Sequence, residues 1–88
     1  MPYINPEARP LLNDFLTRLI EHLSMVEERK LDGDMNYIIT RLLHLVYSES
    51  YFDFNRAIGV LESVKQEFYR RRVGPYEDRK VAENGDVE

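Results

Sequence analysis

Hydrophobic residues recur every three or four positions along the first third of the chain, which is the repeat of an amphipathic α-helix. This spacing predicts a first helix from Ala8 or Pro10 to about Glu28. Asn5 is a suitable N-cap for it, because Pro6 in the first turn lacks an N–H that would otherwise be unpaired. The apolar positions of this helix are Leu11, Leu12, Phe15, Leu16, Leu19, Ile20, Leu23 and Val26.

A second helical pattern follows a polar stretch. Residues 27–34 (EERKLDGD) predict a loop, because they lack apolar periodicity and contain a glycine. Asp34 can then cap a helix from Met35 to about Tyr47 by accepting backbone N–H groups. The apolar positions of this second helix are Met35, Ile38, Ile39, Leu42, Leu43, Leu45 and Val46.

A third helical pattern begins after Ser50. Ser50 and Asp53 have the spacing of a capping box, although glutamate is the commoner acidic partner. Gly59 lies inside the pattern, which favours close approach by a neighbouring helix or by a ligand. Pro75 either ends this helix near Val73 or kinks it, because its ring clashes with the carbonyl four residues earlier. The apolar positions are Tyr51, Phe54, Ala57, Ile58, Leu61, Val64 and Phe68.

These patterns predict an all-α fold. We expect a small three-helix core in one helical domain over residues 1–82, with a short fourth helix after Pro75. Residues 83–88 are expected to form a flexible acidic tail. Since 88 residues support only a marginal core and the chain has no cysteine, an oligomer is also expected.

Composition and charge exclude several classes of site and function. A chain that is 43% hydrophobic and 32% charged has the composition of a folded protein. The absence of cysteine excludes disulfides and thiolate metal sites. No secretion signal or membrane-length apolar run is recognisable, so we expect a cytoplasmic protein that does not bind membranes. The net charge of −4 argues against general nucleic-acid binding.

One stretch of the chain is basic and contains the best candidate site. Residues 65–80 hold 6 basic and 3 acidic residues. Arginine grips phosphate groups bidentately and an aromatic ring stacks on a base, so this stretch suits a small anion or nucleotide. In the alternative interpretation, the cations stabilise a helix C-terminus and pair with nearby acidic residues. The candidate ligand-binding residues here are Arg70, Arg71, Tyr76 and Arg79.

A second polar patch lies on the second helix. Tyr37 and Arg41 are four residues apart and therefore share one helix face. They could complete the basic site from a neighbouring subunit. The alternative is a half-buried tyrosine with its hydroxyl at the surface.

Catalytic patterns are missing from the sequence. His22 and His44 do not form a metal-binding pair, and no nucleophile elbow or phosphate-binding glycine loop is present. The carboxylates Glu62, Glu77 and Asp78 lack the repeated spacing of a magnesium cluster. We therefore expect no catalytic residue, no metal site and no cofactor, although a metal-dependent nucleotide hydrolase remains a third hypothesis.

Several ordered motifs resemble a known family of small proteins. The family is catalogued only as a domain of unknown function and occurs in bacteriophage and prokaryotic genomes. The resemblance implies such an origin and no established activity. Relatives carry alanine where this chain has Gly74, a departure that favours a break in the helix there. The motifs are MPYI (1–4), GDMNYIITRL (33–42), NRAIGVLE (55–62), EFYRR (67–71), PYED (75–78) and ENGDV (83–87).

The sequence thus predicts a non-enzymatic binding protein. The first hypothesis is a protein-interaction module, a phage accessory or anti-defence factor that binds a host protein. The second is an oligomeric sponge that binds a cyclic or linear nucleotide through its arginines and tyrosines. The anti-defence role rests on analogy with other small helical phage proteins.

Overall fold

The computed structural model describes residues 4–87, and these residues form helices without any strand. The all-α prediction is therefore confirmed. None of the described helices is both long enough and apolar enough to cross a membrane. The elements are a short 3₁₀ turn at Pro6–Ala8, α1 at Arg9–Leu23, α2 at Glu28–Val46, α3 at Tyr51–Phe68, a π-helical segment at Tyr69–Val73 and a distal helical segment at Gly74–Asn84.

The chain divides into two units. The first, residues 1–46, contains α1 and α2. The second, residues 47–88, contains α3, the π segment and the distal segment. The single helical domain over residues 1–82 stays a prediction.

The start of the chain follows the predicted helix entry. Asn5 has extended backbone angles, and its carbonyl accepts a 3.0 Å hydrogen bond from the Ala8 N–H. The Asn5 side chain makes no capping hydrogen bond. A backbone hydrogen bond therefore closes this first turn, and Pro6 has no N–H that would need a cap.

Helix α1 ends at Leu23, five residues before the predicted boundary. The Ser24 N–H donates to the Ile20 carbonyl at 2.8 Å, and the Ser24 hydroxyl donates to the Glu21 carbonyl at 2.7 Å. Such local bonds satisfy carbonyls that the ending helix leaves unpaired. The connection to α2 is residues 24–27.

The loop predicted for residues 27–34 is wrong. Helix α2 begins at Glu28 and includes both Gly33 and Asp34, so Asp34 is not its N-cap. The stretch is rich in glutamate, arginine, lysine and leucine, which are strong helix formers, and one glycine costs only about 1 kcal/mol against alanine. Gly33 has no positive φ angle, so nothing in its backbone interrupts the helix.

The cap predicted for α3 is confirmed. The Ser50 side-chain oxygen accepts a 3.0 Å hydrogen bond from the Asp53 N–H. The Asp53 carboxylate accepts in turn from the Ser48 N–H at 3.2 Å. These two bonds fix the entry of the chain into α3.

The helix neither ends nor breaks at Pro75. Helical backbone continues from α3 through the π segment into the distal segment, which contains Pro75 in its first turn, so a separate fourth helix after Pro75 is not shown. Pro75 has no N–H for the Arg71 carbonyl and its ring would crowd that oxygen. The wider π turn, in which the Gly74 N–H bonds to the Tyr69 carbonyl, accommodates both effects.

Gly85 closes the distal segment. Its φ angle is +84°, and its N–H donates to the Val81 carbonyl at 2.8 Å. This is the common glycine termination of a helix. Residues 83 and 84, predicted as part of the tail, are helical, and Glu88 lies outside the described residues.

The positions predicted to form a core are largely exposed. Among the described residues, Ala57 is the only buried hydrophobic side chain, at 7% relative exposure. Gly59 has nothing within 4 Å of the place where a Cβ atom would stand. The close approach predicted at Gly59 is therefore not seen among the described residues.

Candidate functional site

A cavity of about 370 Å³ opens beside the π segment. The structure brings three of the predicted site residues, Arg71, Tyr76 and Arg79, to this cavity. It also places Arg72 there, which is not one of the predicted site residues. The full lining is Phe68, Arg71, Arg72, Val73, Pro75, Tyr76 and Arg79.

The Glu67 carboxylate binds two of the arginines. Arg70 Nη2 lies 2.7 Å from Glu67 Oε1, and Arg71 Nε contacts the same oxygen. Arg70 does not line the cavity. For Arg70 and Arg71, the structure therefore shows the helix-surface ion pairs of the alternative interpretation.

The other two arginines of the cavity are not neutralised in this way. Within residues 4–87, Arg72 forms no hydrogen bond or ion pair, and the Arg79 guanidinium lies 5.8 Å from the centroid of the Tyr76 ring. Lys80 Nζ lies 5.5 Å from the same centroid and forms an ion pair with Glu83 Oε2 at 3.3 Å. The cavity thus combines uncompensated positive charge with an aromatic ring, which is a suitable environment for an anion that carries a planar group.

A hydrogen bond spans the π segment. The Tyr69 hydroxyl donates to Glu77 Oε1 at 2.6 Å. This hydrogen bond and the nearby negative charge raise the pKa of the Tyr69 phenol above its ordinary value. In the alternative interpretation the acidic residues pair with the cations, whereas Glu77 accepts a hydrogen bond from a tyrosine.

Tyr37 and Arg41 belong to the first unit, whereas the cavity belongs to the second. Tyr37 lines a different cavity of about 320 Å³, formed where α1 and α2 approach each other, and Arg41 lines neither. Among the residues that the structure describes, neither Tyr37 nor Arg41 lines the π-segment cavity. The lining of this α1–α2 cavity is Leu19, His22, Asp34, Tyr37 and Ile38.

An aromatic patch, defined here as Tyr47, Tyr51, Phe52 and Arg56, lies at the start of α3. The Arg56 guanidinium lies 5.5 Å from the Tyr47 ring centroid and 5.7 Å from that of Phe52. Its Nη1 atom is 2.9 Å from Asp53 Oδ1. The arginine is thus held by a carboxylate while it bridges two rings.

This patch was not among the sites predicted from the sequence. The one sequence feature that points to the patch is the four-residue spacing of Phe52 and Arg56, which places them on the same helix face. Tyr47 precedes the helix and has no fixed spacing relation to it. Only the conformation of residues 47–50 brings its ring to Arg56.

No group of three or more His, Asp or Glu side chains within residues 4–87 is arranged to hold a metal ion. Glu62, one of the carboxylates considered for magnesium, accepts a hydrogen bond from Gln66 and lies 3.7 Å from Lys65 Nζ. Its contacts are those of a solvated helix face.

The chain belongs to the family described as Domain of unknown function (DUF6899), which matches residues 1–87. This confirms the resemblance to a domain of unknown function. No curated protein and no solved structure gives a significant match.

Proposed function

We propose that this member of a family of unknown function is a non-enzymatic protein-interaction module. The aromatic patch carries the proposal. Tyr51 is 88% exposed and Phe52 is 73% exposed, although both are large and apolar. Exposed aromatic residues beside an arginine have the composition of energetically dominant interface residues.

The patch is also well ordered for binding. The Ser50 cap fixes the helix start, and Asp53 both closes that cap and holds Arg56. A side chain that is already fixed loses less conformational entropy when a partner binds. The patch therefore presents a preorganised surface for a protein with an apolar pocket and an acceptor for Arg56.

The anti-defence role is a more specific form of this proposal. In that form the partner is a host protein, and binding blocks it without chemical change. Support for this form comes from the lifestyle analogy alone, whereas the aromatic patch supports the interaction itself.

Photo-crosslinking can test the patch directly. A photoreactive amino acid at position 52 should link the protein to one partner in the host cell, whereas the same amino acid at position 65, also exposed on α3, should not. With the partner purified, Phe52→Ala should weaken binding by about 30-fold or more, the effect of a hot-spot residue.

Lys65→Ala is the matched control, because it truncates an exposed side chain of the same helix away from the patch. Equal affinity of the wild type and of Phe52→Ala would contradict the proposal. So would crosslinks that are the same from positions 52 and 65.

The second candidate function is binding of a nucleotide or another small anion. It is favoured by one observation: Arg72 and Arg79 line the π-segment cavity together with Tyr76. The arginines would hold phosphate oxygens and the tyrosine would stack on a base. An oligomer of such chains would act as a nucleotide sponge.

Thermal unfolding with cyclic and linear nucleotides tests this candidate. A ligand at 100 times its dissociation constant stabilises the folded state by about 2.7 kcal/mol, which is about 10 °C or more for a small domain. Arg72→Ala and Arg79→Ala should abolish the shift, while Lys30→Ala, with the same change of charge on α2, should keep it. No shift with any nucleotide, or an equal shift in all three variants, would contradict this candidate.

A further inference from the structure

The α1–α2 cavity brings two short sets of side chains together. Its volume is about 320 Å³, which is within the range of small-molecule sites. Leu19 and His22 are three residues apart and so lie on one face of α1. On α2, Asp34, Tyr37 and Ile38 have the i, i+3, i+4 spacing of a single face. All five residues belong to the first unit, so the cavity is formed within one unit.

Asp34 differs from the other half-buried carboxylates. Within residues 4–87, the half-buried carboxylates are those of Asp34, Asp53 and Glu67. Asp53 pairs with Arg56, and Glu67 pairs with two arginines. The Asp34 carboxylate makes no hydrogen bond or ion pair within the described part of the first unit. It is therefore available to a cation that enters the cavity.

Helix stability does not explain the aspartate at this position. Helix α2 begins at Glu28, so Asp34 lies beyond the first turn and caps no backbone N–H. Aspartate is among the weaker helix formers, and partial burial of a carboxylate is unfavourable unless a cation or a hydrogen-bond donor approaches it. A residue that opposes both helix formation and burial, and that lines a cavity, is typical of a binding site.

The rest of the lining selects the kind of cation. The face of the Tyr37 ring attracts a cation, and a nitrogen of the His22 imidazole can accept an N–H hydrogen bond. The aliphatic side chains of Leu19 and Ile38 favour an apolar body next to the charge. A metal ion would need several ligand atoms, and within residues 4–87 no group of three or more acidic or histidine side chains supplies them.

We infer that the α1–α2 cavity binds a small organic cation, an amine whose ammonium group pairs with Asp34 and whose planar or aliphatic body lies against Tyr37, Leu19 and Ile38. The first unit has 7 acidic and 5 basic residues, so its field also favours a cation. The inference rests neither on the aromatic patch nor on the π-segment cavity, since both lie in the second unit.

Titration of the ¹⁵N-labelled full-length protein with tryptamine, followed by NMR, tests the inference. Tryptamine carries an ammonium group on a planar ring system. At neutral pH it should shift the amide signals of residues 19–22 and 34–38, with a dissociation constant of about 1 mM or lower. Indole-3-propionate has the same ring system and the opposite charge, so it should bind at least about 10-fold more weakly.

Two matched variants separate the carboxylate of the cavity from a general charge effect. Asp34→Asn should raise the dissociation constant of tryptamine by about 10-fold or more, because it removes the charge that pairs with the ammonium group. Asp32→Asn makes the same change at an exposed position of α2 and should leave the affinity unchanged. Equal affinity of the two variants, equal binding of the two indole compounds, or no binding of tryptamine would overturn the inference.

Thermal unfolding without ligand shows whether the protein itself already supplies a cation to Asp34. The midpoint of Asp34→Asn should be no lower than that of Asp32→Asn, because the Asp34 carboxylate has no partner to lose. A lower midpoint would also overturn the inference, since a cation of the second unit or of another chain would then pair with Asp34. None of these results bears on crosslinking from position 52, or on nucleotide binding through Arg72 and Arg79.

Discussion

The Tyr69 hydroxyl and the Glu77 carboxylate are joined by a 2.6 Å hydrogen bond that spans eight residues of helix. Two residues eight apart in a helix are separated by about 12 Å along its axis, so only long side chains can meet across that distance. The bond ties the end of α3 to the distal segment over the π turn. It therefore stabilises the irregular backbone that shapes the cavity.

The hydrogen bond between Tyr69 and Glu77 should depend on pH. The phenol donates only while it is protonated, and its pKa is raised above the ordinary 10.0 by Glu77. The bond's contribution to folding is present below about pH 10 and is lost as pH rises through the raised pKa. Ultraviolet titration should show that the tyrosine signal removed by Tyr69→Phe ionises later than a free tyrosine.

Glu77→Gln provides the control for this titration. It removes the negative charge and should move the Tyr69 ionisation back toward its ordinary range. A Tyr69 signal that titrates identically in the wild type and in Glu77→Gln would show that the bond does not form in solution.

Pro75→Ala should change the π segment. The new N–H at position 75 can bond to the Arg71 carbonyl, which favours the regular α-helical register. In hydrogen exchange, the amide of residue 75 should be protected, and the chemical shifts of residues 69–74 should move toward α-helical values. The expected change also redirects the cavity-lining side chains.

Pro6→Ala is a matched control for that substitution. Pro6 is the first residue of the 3₁₀ turn, where the N–H has no partner within the helix. Its amide should therefore exchange rapidly. An unprotected amide in Pro75→Ala would mean that Pro75 does not cause the π turn.

Gly59→Ala should stabilise α3. The position is helical, its φ angle is not positive, and nothing lies within 4 Å of the added Cβ atom. Alanine is favoured over glycine in a helix by about 1 kcal/mol. Denaturant unfolding should show a gain of that size, and Gly33→Ala on α2, equally open, should give a similar one.

A loss of stability in Gly59→Ala alone would be informative. It would show that another helix or a ligand approaches α3 at that point in solution, as the sequence pattern predicted. The comparison with Gly33→Ala separates this effect from a general change in helix propensity.

Ser50→Ala should destabilise the second unit by about 1 kcal/mol, the usual cost of removing a serine N-cap. It removes the acceptor of the Asp53 N–H. Ser48→Ala keeps the Ser48 N–H that donates to Asp53 and should have little effect. Urea unfolding followed by helical circular dichroism measures both, and equal stability of the two variants would contradict the capping role.

Features governed by neighbouring residues were predictable from the sequence. The three helices and the Ser50 cap depend on periodicity and on contacts within four residues, which the chain itself specifies. The predicted loop at residues 27–34 failed because strong helix formers outweigh Gly33 in that stretch. The outcome depends on the sum of small differences in helix propensity, which the spacing of apolar residues does not show.

The candidate sites were predictable only in part. Arg71, Tyr76 and Arg79 were selected by residue type and do share a cavity. Arg72 was not selected, because three successive arginines point in directions about 100° apart in an α-helix and the pattern does not say which face opens. The π turn changes that angular relationship, because it has more residues per turn than an α-helix.

By itself, the sequence determined the helical class, the apolar stripes and the capping of α3, because each depends on interactions within one helical turn. Only the tertiary structure decided that helix continues through Pro75, that Arg72 joins the cavity and that Arg56 bridges two rings. Those features depend on backbone register and side-chain direction over many residues, which the order of residue types does not specify.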